Sequence, residues 1–233
     1  MRALIFAAGL GTRMRPLTDR TPKPLLCVGG KPLIVWHLEK LAARGVREVV
    51  INTAHLGALF PQTLGDGARW NLRIHYAHEG DAPLETGGGI LHALPRLGDA
   101  PFLVVNGDVW TDFDFARLPD APRDLAHLLL VDNPVHHPQG DFRLDAEHTL
   151  HDDGEPRLTF AGIGVYRPQL LDGWRQVIGE RDGATMQPPR FALAPLLRAA
   201  MREGRIDGQH HAGRWTDVGT PERLRELDAS LRG

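Results

Sequence analysis

Ala3-Leu4-Ile5-Phe6-Ala7-Ala8-Gly9-Leu10-Gly11-Thr12-Arg13-Met14-Arg15-Pro16-Leu17-Thr18, continuing through Asp19 to Thr21-Pro22-Lys23-Pro24, is the stretch whose reading decides the fold. The apolar run Ala3–Ala8 has the length and composition of a buried strand. It empties into Gly9 and Gly11, where the backbone can turn sharply and approach a ligand. Successive N–H groups in such a turn can converge on an anion. Arg13, Arg15 and Lys23 add fixed positive charge to the same loop. A strand, a glycine turn and three cations point to a triphosphate site. The plainer alternative is a tight βα turn with no ligand.

Two common nucleotide motifs do not fit. The dinucleotide fingerprint needs a third glycine, and Met14 stands there; the P-loop needs a glycine where the chain has Leu25. Lys23 favours the phosphate reading on other grounds. Of 27 Lys and Arg residues only Lys23, Lys31 and Lys40 are lysine, so a chain that otherwise uses arginine has a compact ammonium between Pro22 and Pro24. An ammonium acts on phosphate as a point charge, where guanidinium imposes a planar fork.

Gly9 to Thr18 followed by Thr21-Pro22-Lys23-Pro24-Leu25 resembles the signature of sugar-1-phosphate nucleotidylyltransferases, a long and specific motif. The resemblance implies a nucleoside triphosphate on the loop of Ala8, Gly9, Gly11 and Thr12, with Arg13 and Lys23 on its phosphates.

Working outward, Lys31–Arg44 has apolar residues at helical spacing and Gly45 as a stop, and Val46–Asn52 reads as a second strand. Strand, helix and strand make a right-handed βαβ unit with a parallel sheet. Leu56–Leu64 is expected as a helix, and Leu72–Ala77, Phe102–Val105, Ala126–Val131 and Leu158–Tyr166 as strands. Phe191–Arg202 is expected as a helix interrupted early by Pro195. Arg205–His210 and Arg214–Asp217 follow as short strands. Thr220-Pro221 supplies an N-cap and first-turn proline for a last helix to about Leu231. The expected fold is α/β: a single Rossmann-like domain over residues 1–233 with a mixed, mostly parallel sheet. Its three-layer α/β/α form, of the nucleotide-diphospho-sugar transferase type, is what the family resemblance implies. The nucleotide part is expected over about 1–110 and the sugar part over about 111–233, with no C-terminal repeat domain.

Composition narrows the functional classes. A hydrophobic fraction of 42% supports a sizeable core, and a net charge of −2 gives no footprint for nucleic acid or for a membrane surface. One cysteine, Cys27 among Leu25, Leu26 and Val28, excludes a disulfide framework and reads as buried filler. The one serine, Ser230, lies outside any nucleophile elbow, which excludes a serine hydrolase. No apolar run reaches the ~18 residues of a membrane span, so a cytoplasmic protein is expected. His136-His137 and His210-His211 read as solvated or locally bonded rather than as metal ligands, because neighbours on a strand face opposite ways.

Three further stretches bear on chemistry. Glu79 and Glu85 belong to the run Glu79–Ile90, whose Gly87-Gly88-Gly89 reads as a loop ahead of the helical run Ile90–Leu94. Three glycines there suggest a flat ligand, a nucleobase, lying against the backbone; a merely flexible loop is the alternative. Asp108 ends a buried strand, on the rim where open α/β sheets bind ligands. Asp217, before Gly219, supplies a second carboxylate, and two such hard oxygen ligands suit Mg²⁺ on a triphosphate.

The strings Pro83–Ile90, Phe102–Phe115, Ala126–Phe142 and Arg214–Leu224 extend the family resemblance over nearly the whole chain. It implies UTP and N-acetylmuramate α-1-phosphate as substrates, in peptidoglycan recycling. It implies catalytic roles for Arg13, Lys23, Asp108 and Asp217, with Mg²⁺ on Asp108 and Asp217. Nucleotide contacts would extend to Glu79, Thr86, Gly87 and Gly88, and sugar contacts to Glu85, Asn106, Asp141 and Gly162. Many relatives place a lysine on the sugar phosphate, but this chain has none after Lys40; Arg143 and Arg157 are the substitutes considered. Another hexose 1-phosphate with GTP or dTTP, or a non-catalytic sugar-nucleotide sensor, are the alternative functions. Oligomeric state is not readable from the residues.

Overall fold

Seven stretches form one seven-stranded sheet in the computed structural model, which describes residues 1–181 and 183–233. The strands are β1 (Arg2–Phe6), β2 (Glu48–Thr53), β3 (Arg73–His78), β4 (Phe102–Asn106), β5 (Ala126–Val131), β6 (Thr159–Tyr166) and β7 (Ile206–His211). Their order across the sheet is β7-β5-β6-β4-β1-β2-β3. β1 lies parallel between β2 and β4, β2 parallel to β3, and β5 parallel to β7. β6 runs antiparallel to both β4 and β5. The mixed, mostly parallel α/β fold expected from the sequence is the one observed.

The alternating side chains of the strands divide two cores, as a sheet covered on both faces requires. Ala3, Ile5, Leu103 and Val105 pack on one face with α1 (Leu33–Ala43) and α2 (Leu59–Leu64). Leu4, Phe102 and Val104 pack on the other with α3 (Glu85–Leu97), α4 (Trp174–Ile178) and α5 (Ala194–Arg202). A smaller cluster sits under α6 (Pro221–Arg232), where Leu224 and Leu227 meet Met14, Val28 and Trp110. Thr220 caps α6 by accepting from the Arg223 N–H, as its sequence signature requires.

Several local readings change. Residues Lys31 and Pro32 form a hairpin strand with Cys27–Val28, so α1 starts at Leu33. Val28 takes the buried side of that hairpin and leaves Cys27 exposed, not buried as filler. Pro195 stands in the first turn of α5, where its missing N–H costs nothing, so it starts the helix and does not interrupt it. Gly87, Gly88 and Gly89 lie inside α3, not in a loop ahead of it.

His37 on α1 is buried, its Nε2–H donating to the Val109 carbonyl at 2.8 Å and its ring stacked on Phe115. Burial pushes its pKa down from 6.5 to about 4. The unfolded chain therefore takes up this proton first as pH falls. Stability is complete above about 6.5 and is lost as pH drops toward 4, by up to about 3 kcal/mol. Urea unfolding between pH 7 and 5 should show a clearly shallower pH slope in His37→Gln than in the unmodified protein. Equal slopes would exclude His37 as the source.

Candidate active site

The site is built on the rim where β1 and β4 end side by side, with Phe6 opposite Asn106. The Gly107 N–H donates to the Phe6 carbonyl at 2.9 Å, and a Cβ on Gly107 would stand 2.5 Å from that oxygen. Glycine is thus needed for the two strands to release their loops together. One loop is residues 7–13, the other leads to Asp108.

In the first loop Gly11 has φ +62°, the left-handed region, and its carbonyl accepts the Thr18 hydroxyl at 2.8 Å. No atom lies within 4 Å of where a Gly9 Cβ would be, so that position opens into free space. Among the described residues the N–H groups of residues 9–13 donate to no backbone acceptor. Gly11, Thr12, Arg13 and Lys23 line a cavity of about 290 Å³ together with Gly219. An unpaired row of N–H groups with Arg13 and Lys23 beside it fits a polyphosphate.

Lys23 meets the second loop. Its Nζ is 2.5 Å from Asp108 Oδ2, with the lysine side chain 11% exposed. The short strands Val109–Thr111 and Trp215–Asp217 pair antiparallel, setting Asp217 opposite Val109, and the Val218 N–H donates to the Asp108 carbonyl at 2.7 Å. Asp108 and Asp217 therefore stand on neighbouring segments at the same edge. Asp217 Oδ1 is held by Arg223 Nη1 at 2.5 Å and lies 2.8 Å from His136 Nε2. Both carboxylates have a cation of the protein as partner. Among the described residues no group of three or more His, Cys, Asp or Glu could hold a metal. His137, His210 and His211 likewise each face an aspartate, Asp141, Asp132 and Asp112.

A cleft of about 210 Å³ continues from Lys23 and Asp108 past Ala8, Gly9 and Asn106 to Glu79, Glu85 and Thr86. Asn52, at the end of β2, ties its walls together. It accepts from the Ala7 N–H at 2.6 Å and donates to Glu79 Oε1 at 2.7 Å, while the Leu84 N–H donates to Glu79 Oε2 at 2.8 Å. Burial raises the Glu79 pKa, and the bonds from Leu84 and Asn52 oppose that rise.

A second cavity, about 220 Å³, shares Phe6, Thr86 and Asn106 with the cleft and adds Asp141, Gly162, Phe142, Tyr166 and Arg198. Asp141 accepts from the Phe160 N–H at 2.8 Å. Gly162 has φ +73° at a bulge in β6, and a Cβ there would stand 2.5 Å from Asn106 Nδ2. Its glycine serves the bulge and the cavity at once.

Three site expectations need correction. Gly87 and Gly88 line neither cavity: their N–H groups donate to the Phe191 carbonyl at 2.9 and 3.0 Å. A Cβ on Gly87 would be 2.4 Å from the Phe191 ring, and one on Gly88 2.4 Å from the Pro189 carbonyl. The flat group against this backbone is thus the chain's own 189–191 segment, not a nucleobase. Glu85 faces the first cleft, not the second, and pairs with Arg190 at 3.3 Å. Arg143 and Arg157 bond to the carbonyls of Asp153 and Gly154 and line neither cavity. Asn52, Arg198 and Arg223 were not singled out by sequence, and His136 was read only as solvated or locally bonded, not as a partner of Asp217. Asn52 carried a usable signal, a polar residue closing an apolar strand as Asn106 does.

Residues 2–140 match the family model described as nucleotidyl transferase. The chain is 49% identical to an N-acetylmuramate alpha-1-phosphate uridylyltransferase of Neisseria meningitidis serogroup B, over 98% of this chain and 97% of the relative. It is 34% identical to the protein of that name in Caulobacter vibrioides, over 98% and 96%. A mannose-1-phosphate guanylyltransferase of Mycobacterium tuberculosis is 33% identical, over 94% of this chain but 61% of its own length. The fold is also that of a solved Bacillus anthracis protein assigned as a glucose-1-phosphate thymidylyltransferase, with TM-score 0.80, 21% identity and coverage of 100% and 95%.

Proposed function

The chain belongs to the nucleotidyl transferase family, and on that premise we propose that it transfers a uridylyl group from UTP to N-acetylmuramate α-1-phosphate, giving UDP-N-acetylmuramate and pyrophosphate. The supporting observation is a row of neighbouring cavities with common walls. Lys23 lines both the loop cavity and the cleft, and Phe6, Thr86 and Asn106 line both the cleft and the second cavity. A triphosphate on residues 9–13 and a sugar phosphate beside Asn106 would meet at Lys23 and Asp108.

The reaction is an in-line displacement. An oxygen of the sugar phosphate forms a bond to the α-phosphorus, and the bond from that phosphorus to the α,β-bridging oxygen breaks. The electron pair leaves with pyrophosphate. The attacking phosphate is already anionic near neutral pH, so no general base is needed, and catalysis is positioning and charge stabilisation. Lys23 offsets charge at the α-phosphate, and Arg13 steadies the departing pyrophosphate.

Mg²⁺ is proposed as cofactor. Asp108 and Asp217 fit it as hard oxygen ligands on neighbouring segments, each now neutralised by a protein cation that a metal could replace. Bound there, it would supply charge neutralisation and alignment of phosphate oxygens. Among the described residues no helix is long and apolar enough to cross a membrane. A cytoplasmic setting, with a place in cell-wall recycling, belongs to the same proposal.

Pyrophosphate release would be measured with Mg²⁺, crossing UTP, GTP and dTTP against the 1-phosphates of N-acetylmuramate, N-acetylglucosamine, mannose and glucose. Fast release with UTP and N-acetylmuramate 1-phosphate alone is expected. Release with another pair would keep the residue roles and change the substrate. Silence across the grid, from folded protein that binds nucleotide, would favour a sensor.

A further inference from the structure

N-acetylmuramate differs from N-acetylglucosamine by a lactyl ether ending in a carboxylate, so an acceptor of this kind carries one more negative charge than its phosphate alone. A charge taken into a cleft needs a partner there. The sugar cavity is lined mainly by apolar and neutral groups, and Arg198 is its cationic lining residue. Asp141 is the acid on the same wall, already bonded to the Phe160 N–H and to His137.

Arg198 stands on α5, which forms the wall of the cavity with Leu193, Ala194 and Leu197. Its guanidinium lies 5.8 Å from the centre of the Phe142 ring, another lining group, and its side chain is 43% exposed. Nη1 donates to Asp152 Oδ1 at 2.7 Å. Asp152 Oδ2 accepts from Arg202 at 2.9 Å, so this carboxylate keeps a cation if Arg198 turns toward a ligand. Among the described residues the other N–H groups of Arg198 have no hydrogen-bond acceptor. They form the planar fork that suits a carboxylate. Arg198 does not line the cleft of Lys23 and Asp108, where the acceptor phosphate must lie. It is placed for a substituent on the sugar ring, not for the reacting phosphate.

We propose that Arg198 is a specificity-determining residue that pairs with the carboxylate of an acidic sugar acceptor. This rests on the uridylyltransferase reading above.

The test compares N-acetylmuramate 1-phosphate with its lactamide analogue, identical in ring and phosphate but uncharged at the lactyl group. In Arg198→Met the ratio of kcat/KM for acid over amide should fall about 10- to 100-fold, the scale of one charge-assisted contact. Arg198→Lys should restore part of the ratio, because the charge returns without the fork. Circular dichroism and melting of both variants check the fold. An unchanged ratio in Arg198→Met, whether both substrates weaken together or neither does, would overturn the assignment. If the unmodified protein turned over neither compound, yet used another sugar phosphate, the uridylyltransferase reading itself would fail.

Discussion

Asp108→Asn should lower kcat by roughly 30- to 1000-fold, a loss of about 2–4 kcal/mol of transition-state stabilisation. Asparagine keeps the volume of aspartate and can still accept from Lys23 Nζ, now 2.5 Å from Oδ2. The backbone bond from the Val218 N–H to the Asp108 carbonyl does not involve the side chain. The neighbouring strand bearing Asp217 therefore stays in register, and the melting temperature should move little. What disappears is one negative charge at the edge where phosphates and Mg²⁺ are proposed to meet. Steady-state kinetics across a Mg²⁺ titration would show a low plateau that added metal does not lift. Near-normal turnover at saturating Mg²⁺ would remove Asp108 from the metal site.

Lys23→Ala should cost a similar 2–4 kcal/mol, roughly, and should appear mainly in kcat, with a smaller rise in KM for UTP. Lys23 is held between Pro22 and Pro24 in a short helical turn, and it lines both the cleft and the loop cavity. In the proposed reaction, an ammonium fixed there would offset the charge that builds as the α-phosphorus is attacked. Lys23→Arg should recover little, because the side chain is nearly buried and a planar fork is larger than the space an ammonium fills. A rise in KM with kcat intact would mean that Lys23 only binds the ground state.

How far the sequence could be read depended on the range of the interaction involved. Strand runs such as Ala126–Val131 and the Thr220-Pro221 helix start were legible because period, caps and prolines act locally. The glycine turn after β1, with Arg13 and Lys23 beside it, was legible for the same reason, since these residues lie close together in the chain. The glycines of α3 were misread because Phe191 and Pro189, which fill the space beside them, come much later in the sequence. Arg223 and His136 were invisible as partners of Asp217 because tertiary contact alone brings them there. Cys27 has leucines before it and a valine after it, yet a two-residue strand buries only alternate side chains.

During synthesis on the ribosome, β1, β2, β3 and β4 emerge with Lys23 and Asp108 in the first half of the chain. The ladder between Val109–Thr111 and Trp215–Asp217 has to wait for its second strand. At roughly 5–20 residues per second, the interval between Asp108 and Asp217 is on the order of 5–20 s. Throughout it, a growing chain can bring its lysine and first carboxylate together but has no second carboxylate to set beside them. Arg223 follows later still, on α6. Completion of the acidic edge thus waits for residues 215–217, and a polypeptide released before them would keep the loop of residues 7–13 while lacking that edge.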